Sequence, residues 1–313
     1  SVGNCFDHHD QSEPRASLPD MPLFGRSDGD LIRDLSPLRR IVPHLMRTRA
    51  GAVVFHDSVY EVARAREFIA AFNSARPDRP PATLFHLFIW ACARALHARP
   101  GLNRFVSGSR IYQRREVAIS FAAKRGFRDD EPILTRKFAF AKDESFAETV
   151  DRLVGGVAGV RAGKEDRADK EMKLAVMLPG FLLSWAVRLM IWLDQVNLLP
   201  ASMIRPDPLF ASLFVANLGS LGLDRVTHHL YEYGNVSLFG AMGVTGPRVV
   251  VGDDGSPTVK DTVEIRWSFD ERINDGFYCA SSLALAQEVV EDPESVLGPP
   301  AEAARGDATE DGC

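Results

Sequence analysis

The sequence has little cysteine: four residues in 313, at Cys5, Cys92, Cys279 and Cys313. They form no CxxC pair and no Cys/His metal-ligand pattern, which argues against a disulfide framework or a zinc site. Reduced thiols in a cytosol-like compartment are the expectation, so a cytoplasmic location is read. Positive charge is not in excess either, with 37 Lys and Arg against 42 Asp and Glu and a net charge of -5. Such a balance is poorly suited to neutralising phosphates, and nucleic acid is excluded as the main partner. The first residues, SVGNCFDHHDQSEP, lack the basic start and apolar run of a signal peptide. No repeat of 20 to 50 residues is present. What is there is ordinary for a soluble globular protein: 45% apolar and 25% charged residues, in a chain long enough to bury a large core.

Residues 1–30 are rich in Asp, Ser, Pro and Gly without hydrophobic period and read as a flexible arm; residues 299–313 read as a flexible acidic tail. One continuous domain, 31–298, lies between them. A basic helix start is read near Arg39–Arg49, and AVVFHDSVY (Ala52–Tyr60) is β-branched and aromatic, a strand pattern. Glu61–Ser74 has Val62, Ala65, Phe68, Ile69 and Phe72 on one helical face. Thr83–Ala98 is a strongly apolar helix stopped by Arg99-Pro100-Gly101. Strands follow at Arg110–Tyr112, Glu116–Ala123 and Pro132–Phe140, then a helix at Ser145–Val160. Further strands are read at Ser212–Ala216, Val236–Val244, Val249–Val251 and Thr262–Asp270, and a last helix at Phe277–Glu291. Strands and helices mixed without βαβ alternation predict a two-layer α/β (α+β) sandwich with a mixed sheet.

Long apolar runs are scarce, with one exception. In Lys173–Leu199 the twenty residues from Leu174 to Leu193 carry a single charge, Arg188, and Pro179-Gly180 breaks the run. Three readings stay open: a membrane-spanning helix, a core or subunit-contact helix pair, and an interfacial or acyl-chain-facing helix. The last leaves a peripheral membrane location open through residues 174–199. Two helical pieces are expected, the longer from about Phe181 to Val196, with Phe181, Trp185 and Trp192 covered by this subunit, a neighbour or lipid.

The C-terminal part holds the motif that carries most of the functional reading, Trp267-Ser268-Phe269-Asp270-Glu271-Arg272-Ile273-Asn274-Asp275-Gly276, between a strand and a helix. It resembles the S-x-D-H-R-x-x-D-G motif of the 2-oxoacid dehydrogenase acyltransferase (E2) catalytic domains, whose fold is chloramphenicol acetyltransferase-like. Ser268, Asp270, Arg272, Asp275 and Gly276 match in register, and Glu271 stands where the catalytic histidine does. Ser212–Gly219 (SLFVANLG) resembles the family strand T-F-T-[IV]-[ST]-N-[LIG]-G, with Ala216 at the Ser/Thr position and Asn217 matching. SPLRRIV (Ser36–Val42), Pro100-Gly101-Leu102-Asn103 and Glu116-Val117-Ala118-Ile119-Ser120 resemble three further family motifs in order. The likeness spans about Ser36 to Glu294, with 173–199 as an insertion without counterpart.

The resemblance implies coenzyme A or acyl-CoA as cosubstrate, no metal, and a homo-oligomer built on trimers with active sites between subunits. No lipoyl or peripheral-subunit-binding segment is read before Ser36, so this chain is not expected to serve alone as a swinging-arm component. Acyl transfer between thiols needs a base near neutrality, which histidine supplies, and a donor aimed at the tetrahedral oxyanion. Ala216 donates nothing from its side chain, and a glutamate, with a reference pKa of about 4.3, is a poor base for a thiol. Loss of one oxyanion donor alone is worth about 3 kcal/mol of barrier. Two functions therefore compete: an acyltransferase with a rebuilt site, and a non-catalytic relative kept for assembly or membrane association.

Replacement bases are sought in Thr227-His228-His229-Leu230-Tyr231-Glu232-Tyr233-Gly234, where adjacent histidines point different ways and only one is expected to face a site. His228 or His229 is read as the base with Glu232 orienting it; two neighbouring side chains without a third ligand do not suggest a metal. Glu271 and Asp275 complete the candidate catalytic set, and Arg272, Asn217, Ala216 and Asp270 are structural at the site. Arg272 and Asp275 are expected to form the ion pair that holds the turn. His56 and His86 read as core histidines.

Overall fold

The structure, a computed structural model, describes residues 25–124, 133–161, 179–252 and 254–306. Its chain order is β1 (Gly29–Leu31), α1 (Pro37–Leu45), β2 (Val53–Glu61), α2 (Ala63–Ser74), α3 (Leu84–Ala98), β3 (Arg104–Ser107), β4 (Arg110–Arg114), β5 (Val117–Lys124), β6 (Ile133–Phe140) and α4 (Phe146–Arg161). After the insertion helix α5 (Gly180–Gln195) come α6 (Ala201–Ile204), β7 (Leu213–Asn217), β8 (Leu238–Val251), β9 (Pro257–Asp270), α7 (Gly276–Glu291), α8 (Pro293–Leu297) and α9 (Pro300–Ala303).

Period-2 and period-3.6 patterns act as the sequence suggests. Six strands pair in the order β2-β9-β8-β7-β5-β6, with β7 parallel to both neighbours and the other pairs antiparallel. One face of this sheet presents Tyr60, Ile119, Val215, Ile265, Trp267 and Phe269 to α2, α3, α4 and α7, forming the main core. The alternate residues Ala118, Phe214, Phe239 and Ala241 face the other way, into a smaller cluster capped by Leu230 and Tyr231. This is the two-layer α/β sandwich with a mixed sheet. Helix α3 starts where Thr83 accepts from the His86 N–H while the His86 ring accepts from the Thr83 N–H, a reciprocal cap. His86 is thus a half-buried capping residue, not a core one, and burial pushes its imidazole down to about 4. His56 likewise is half-buried and bonded to Ser58.

A second sheet, β1-β4-β3, was not legible beyond β4. It corrects the domain limits. Residues 25–30 are not all arm: Gly29–Leu31 pairs with β4, and Arg26 is buried. The tail also begins later than Pro299, because Pro300–Ala303 is helical and Ala303 lies in the main core. Residues 1–24 and 307–313 lie outside the described residues.

Of the insertion, 173–178 lies outside the described residues, and Gly180–Gln195 is the long piece expected. Among the described residues it is fastened toward its C-terminal end. Asp194 is buried, its carboxylate accepting from the Arg26 guanidinium (2.6 Å) and the Ser107 hydroxyl (2.9 Å). Met190 and Leu193 rest against Leu199, Ile204 and Phe210. Phe181, Trp185 and Trp192 are 73%, 63% and 53% exposed, so the described residues of this subunit do not cover them. Among the described residues no helix is long and apolar enough to cross a membrane.

Candidate active site

Strand β9 ends at Asp270, and the turn from Glu271 to Asp275 leads into α7. Asp270 is fully buried and Arg272 is 4% exposed. The two form a bidentate pair, Nε to Oδ1 at 2.8 Å and Nη2 to Oδ2 at 2.7 Å, and Arg272 Nη1 donates to the Met46 carbonyl at 3.1 Å. Ile273, fully buried, plugs a small cluster with Val106 and Ile111 of the second sheet. The turn is thus held by charge on one side and apolar packing on the other.

The expected Arg272–Asp275 ion pair is not formed. The chain turns immediately after Asp270, whose Oδ1 accepts the Arg272 N–H at 3.1 Å, and this side-chain turn hands Arg272 to Asp270 instead. Asp275 caps α7, accepting from the Tyr278 N–H at 2.7 Å, and its other oxygen lies 3.8 Å from Arg39. Arg39 also donates to the Glu271 carbonyl at 2.9 Å. Sequence reasoning registered Arg39 only within a fold motif; here it ties both ends of the turn to α1. Asp275→Ala should lower stability by about 1 kcal/mol, the usual worth of a helix N-cap. Urea denaturation checks this, and a loss several times larger would mean the residue does more than cap.

Glu271 is half-buried, its N–H donating to the Ala52 carbonyl at 3.0 Å, while its carboxylate has no hydrogen bond or ion pair among the described residues. Glu232 does not orient a histidine. Its carboxylate accepts the N–H groups of Arg49 (3.2 Å) and Ala50 (3.0 Å), capping the turn before β2. The histidines separate as adjacent residues should. His229 is exposed. The His228 ring lies flat on Phe239, centroids 4.0 Å apart, and its carbonyl accepts the Ser268 hydroxyl. His228 Nδ1 is 2.6 Å from the His229 carbonyl. A carbonyl only accepts, so Nδ1 carries the proton and Nε2 keeps its lone pair. Burial, ahead of the nearby His229, holds this imidazole below its ordinary value of 6.5.

Ala216 and Asn217 end β7, which β8 separates from β9. Asn217 Oδ1 accepts the Ser220 N–H at 3.2 Å, which leaves its Nδ2 without a partner among the described residues. Gly219 is required there, because a Cβ would lie 2.2 Å from the Gly243 carbonyl oxygen. Ala216 sits opposite Ala241, and Ala241 opposite Arg266, five residues before Glu271. At about 3.3 Å per residue, the Glu271 and Ala216 positions lie roughly 16 Å apart along the strands. One subunit does not bring them together. Among the described residues no group of three His, Cys, Asp or Glu side chains is arranged to hold a metal.

Residues 209–298, which carry β7 to α7, match the model of the 2-oxoacid dehydrogenases acyltransferase (catalytic domain). Two similar solved structures are the cubic core of the pyruvate dehydrogenase multienzyme complex and an Azotobacter vinelandii dihydrolipoamide acetyltransferase, studied for the catalytic role of a serine, a histidine and an asparagine. Each is 13% identical, with a TM-score of 0.56 over 90% of this chain and 99% of the other. The chain has the fold of these acyltransferase catalytic domains. A chloramphenicol acetyltransferase shares it at 12% identity and a TM-score of 0.50, over 84% of this chain and 98% of that one. A search of curated protein sequences gives no match. The acyltransferase likeness seen in the motifs therefore extends to the fold.

Proposed function

We propose that the protein is a CoA-dependent acyltransferase of the E2 type with a rebuilt site, in which His228 is the base, and that it works in the cytoplasm as a trimer-based homo-oligomer. The observation that carries this is the His228 imidazole, pinned by its Nδ1 proton to the His229 carbonyl and kept neutral by burial. Its Nε2 takes the acceptor thiol's proton. The thiolate then adds to the thioester carbonyl, and the Asn217 amide, reaching across from a neighbouring copy, donates to the oxyanion in place of the hydroxyl that Ala216 lacks. Collapse breaks the bond to the CoA sulfur, and the imidazolium returns the proton to that leaving thiolate. Glu271 keeps the turn backbone in place without acting on the thiol.

The second reading, a non-catalytic relative kept for assembly, is favoured by Ala216 and Glu271 themselves. Thioester exchange between acyl-CoA and small thiols decides between them. With the imidazole held below its ordinary value, the working form is neutral His228. It predominates at neutral pH and is lost as acid protonates it, so the rate should be level from pH 7 upward, apart from thiol ionisation, and fall in acid. No turnover above background with any acyl chain length would select the non-catalytic reading.

A further inference from the structure

A cavity of about 340 Å3 opens beside the insertion, bounded by the segment after α1, the β3–β4 turn, the last turn of α5 and Arg272. Its charged wall is unbalanced once partners are assigned. The Asp194 carboxylate is used by Arg26 and Ser107, and the Glu232 carboxylate by two backbone N–H groups. Arg272 is spent on Asp270. Arg49 is 6% exposed, yet among the described residues no carboxylate lies within ion-pair distance of it. It donates only to the carbonyls of Val106, Tyr231 and Glu232, and its Nε has no partner among the described residues. Arg47, at the rim, is exposed and also has no partner among the described residues. Asp270, Asp194 and Glu232 act on the Arg49 guanidinium only from beyond ion-pair distance, and burial outweighs them, so an anion in direct contact would offset its desolvation.

We propose that this cavity binds a small polar molecule through a carboxylate or phosphate group held between Arg47 and Arg49. Arginine's planar fork suits both oxyanions. The volume falls within the range of small-ligand sites, about 300–1,000 Å3. Asp194 and its neighbours come from the insertion, so the site is built from the segment that the family pattern lacks. It does not use His228, and it stands whether or not acyl transfer does.

Calorimetric titration of the full chain with inorganic phosphate and with malonate, at constant ionic strength against chloride, tests it. Saturable binding of at least one probe in the millimolar range or tighter is expected, with a matching rise in thermal midpoint. Response to phosphate alone or to malonate alone names the group recognised. Arg47→Gln should keep its midpoint without ligand, because the side chain is exposed and unpartnered, and should bind roughly tenfold or more weakly. Arg205→Gln, on an exposed arginine away from the cavity, should bind like the parent. Absence of saturable binding by both probes would overturn the proposal, as would equal weakening in the two variants.

Discussion

Asp270→Ala should lose about 3–5 kcal/mol of stability, because it strands the buried Arg272 guanidinium without its counter-charge. Arg272→Met should lose a similar amount by stranding Asp270. The pair Asp270→Leu with Arg272→Met should be far less damaging than the sum, since both desolvated charges then leave together. The motif in which these residues sit invites a catalytic account. Their geometry gives a structural one: complete burial, two short bonds, and a third from Arg272 to the chain after α1. Urea denaturation of the three variants measures the coupling. Single losses under about 1 kcal/mol, or strict additivity, would show that solvent reaches the pair.

His228→Ala should reduce thioester exchange by about 10²–10⁴, the usual worth of a general base, while leaving the fold intact because the ring is only half-buried on Phe239. Glu271→Gln should change the rate less than about tenfold, because the turn is held through the backbone of residue 271, which the substitution keeps. Adding free imidazole should restore part of the His228→Ala rate if the missing group is a proton acceptor. The reverse ranking, with Glu271→Gln inactive and His228→Ala active, would return the base to the position where the family has its histidine.

Much of the sheet was legible because its strands alternate cleanly and its helices are long. The apolar run from Thr83 to Ala98 announces α3, although Thr83 proves to be its cap and not its first helical residue. The small sheet was not, because Gly29–Leu31 and Arg104–Ser107 are too short to show a period and find partners only through distant pairing. The site was half legible. Spacing alone offered Arg272 a partner three residues on, whereas the turn built on the Asp270 side chain gives it one two residues back. Glu232 looked like an orienting carboxylate because it follows the histidines closely, yet its partners, Arg49 and Ala50, lie some 180 residues away. No local pattern encodes such a contact. Which histidine meets the sheet was equally hidden, since that depends on where the 226–236 segment lies over Phe239.

The anchor at the end of α5 bears on how much change this part of the chain can take. The connection from Arg161 to Leu213 crosses from the helical layer to a central strand, and β7 pairs with β5 and β8 whatever that connection contains. Closure entropy grows only with the logarithm of length, about 0.6 kcal/mol for each doubling. A long addition at this crossover therefore disturbs the fold hardly more than a short one, provided its far end is fastened. Asp194 does the fastening, and the helix before it is left open to change residue by residue without loss of the sheet. In evolutionary terms, the crossover is where this fold can acquire new surface while its strands stay in register.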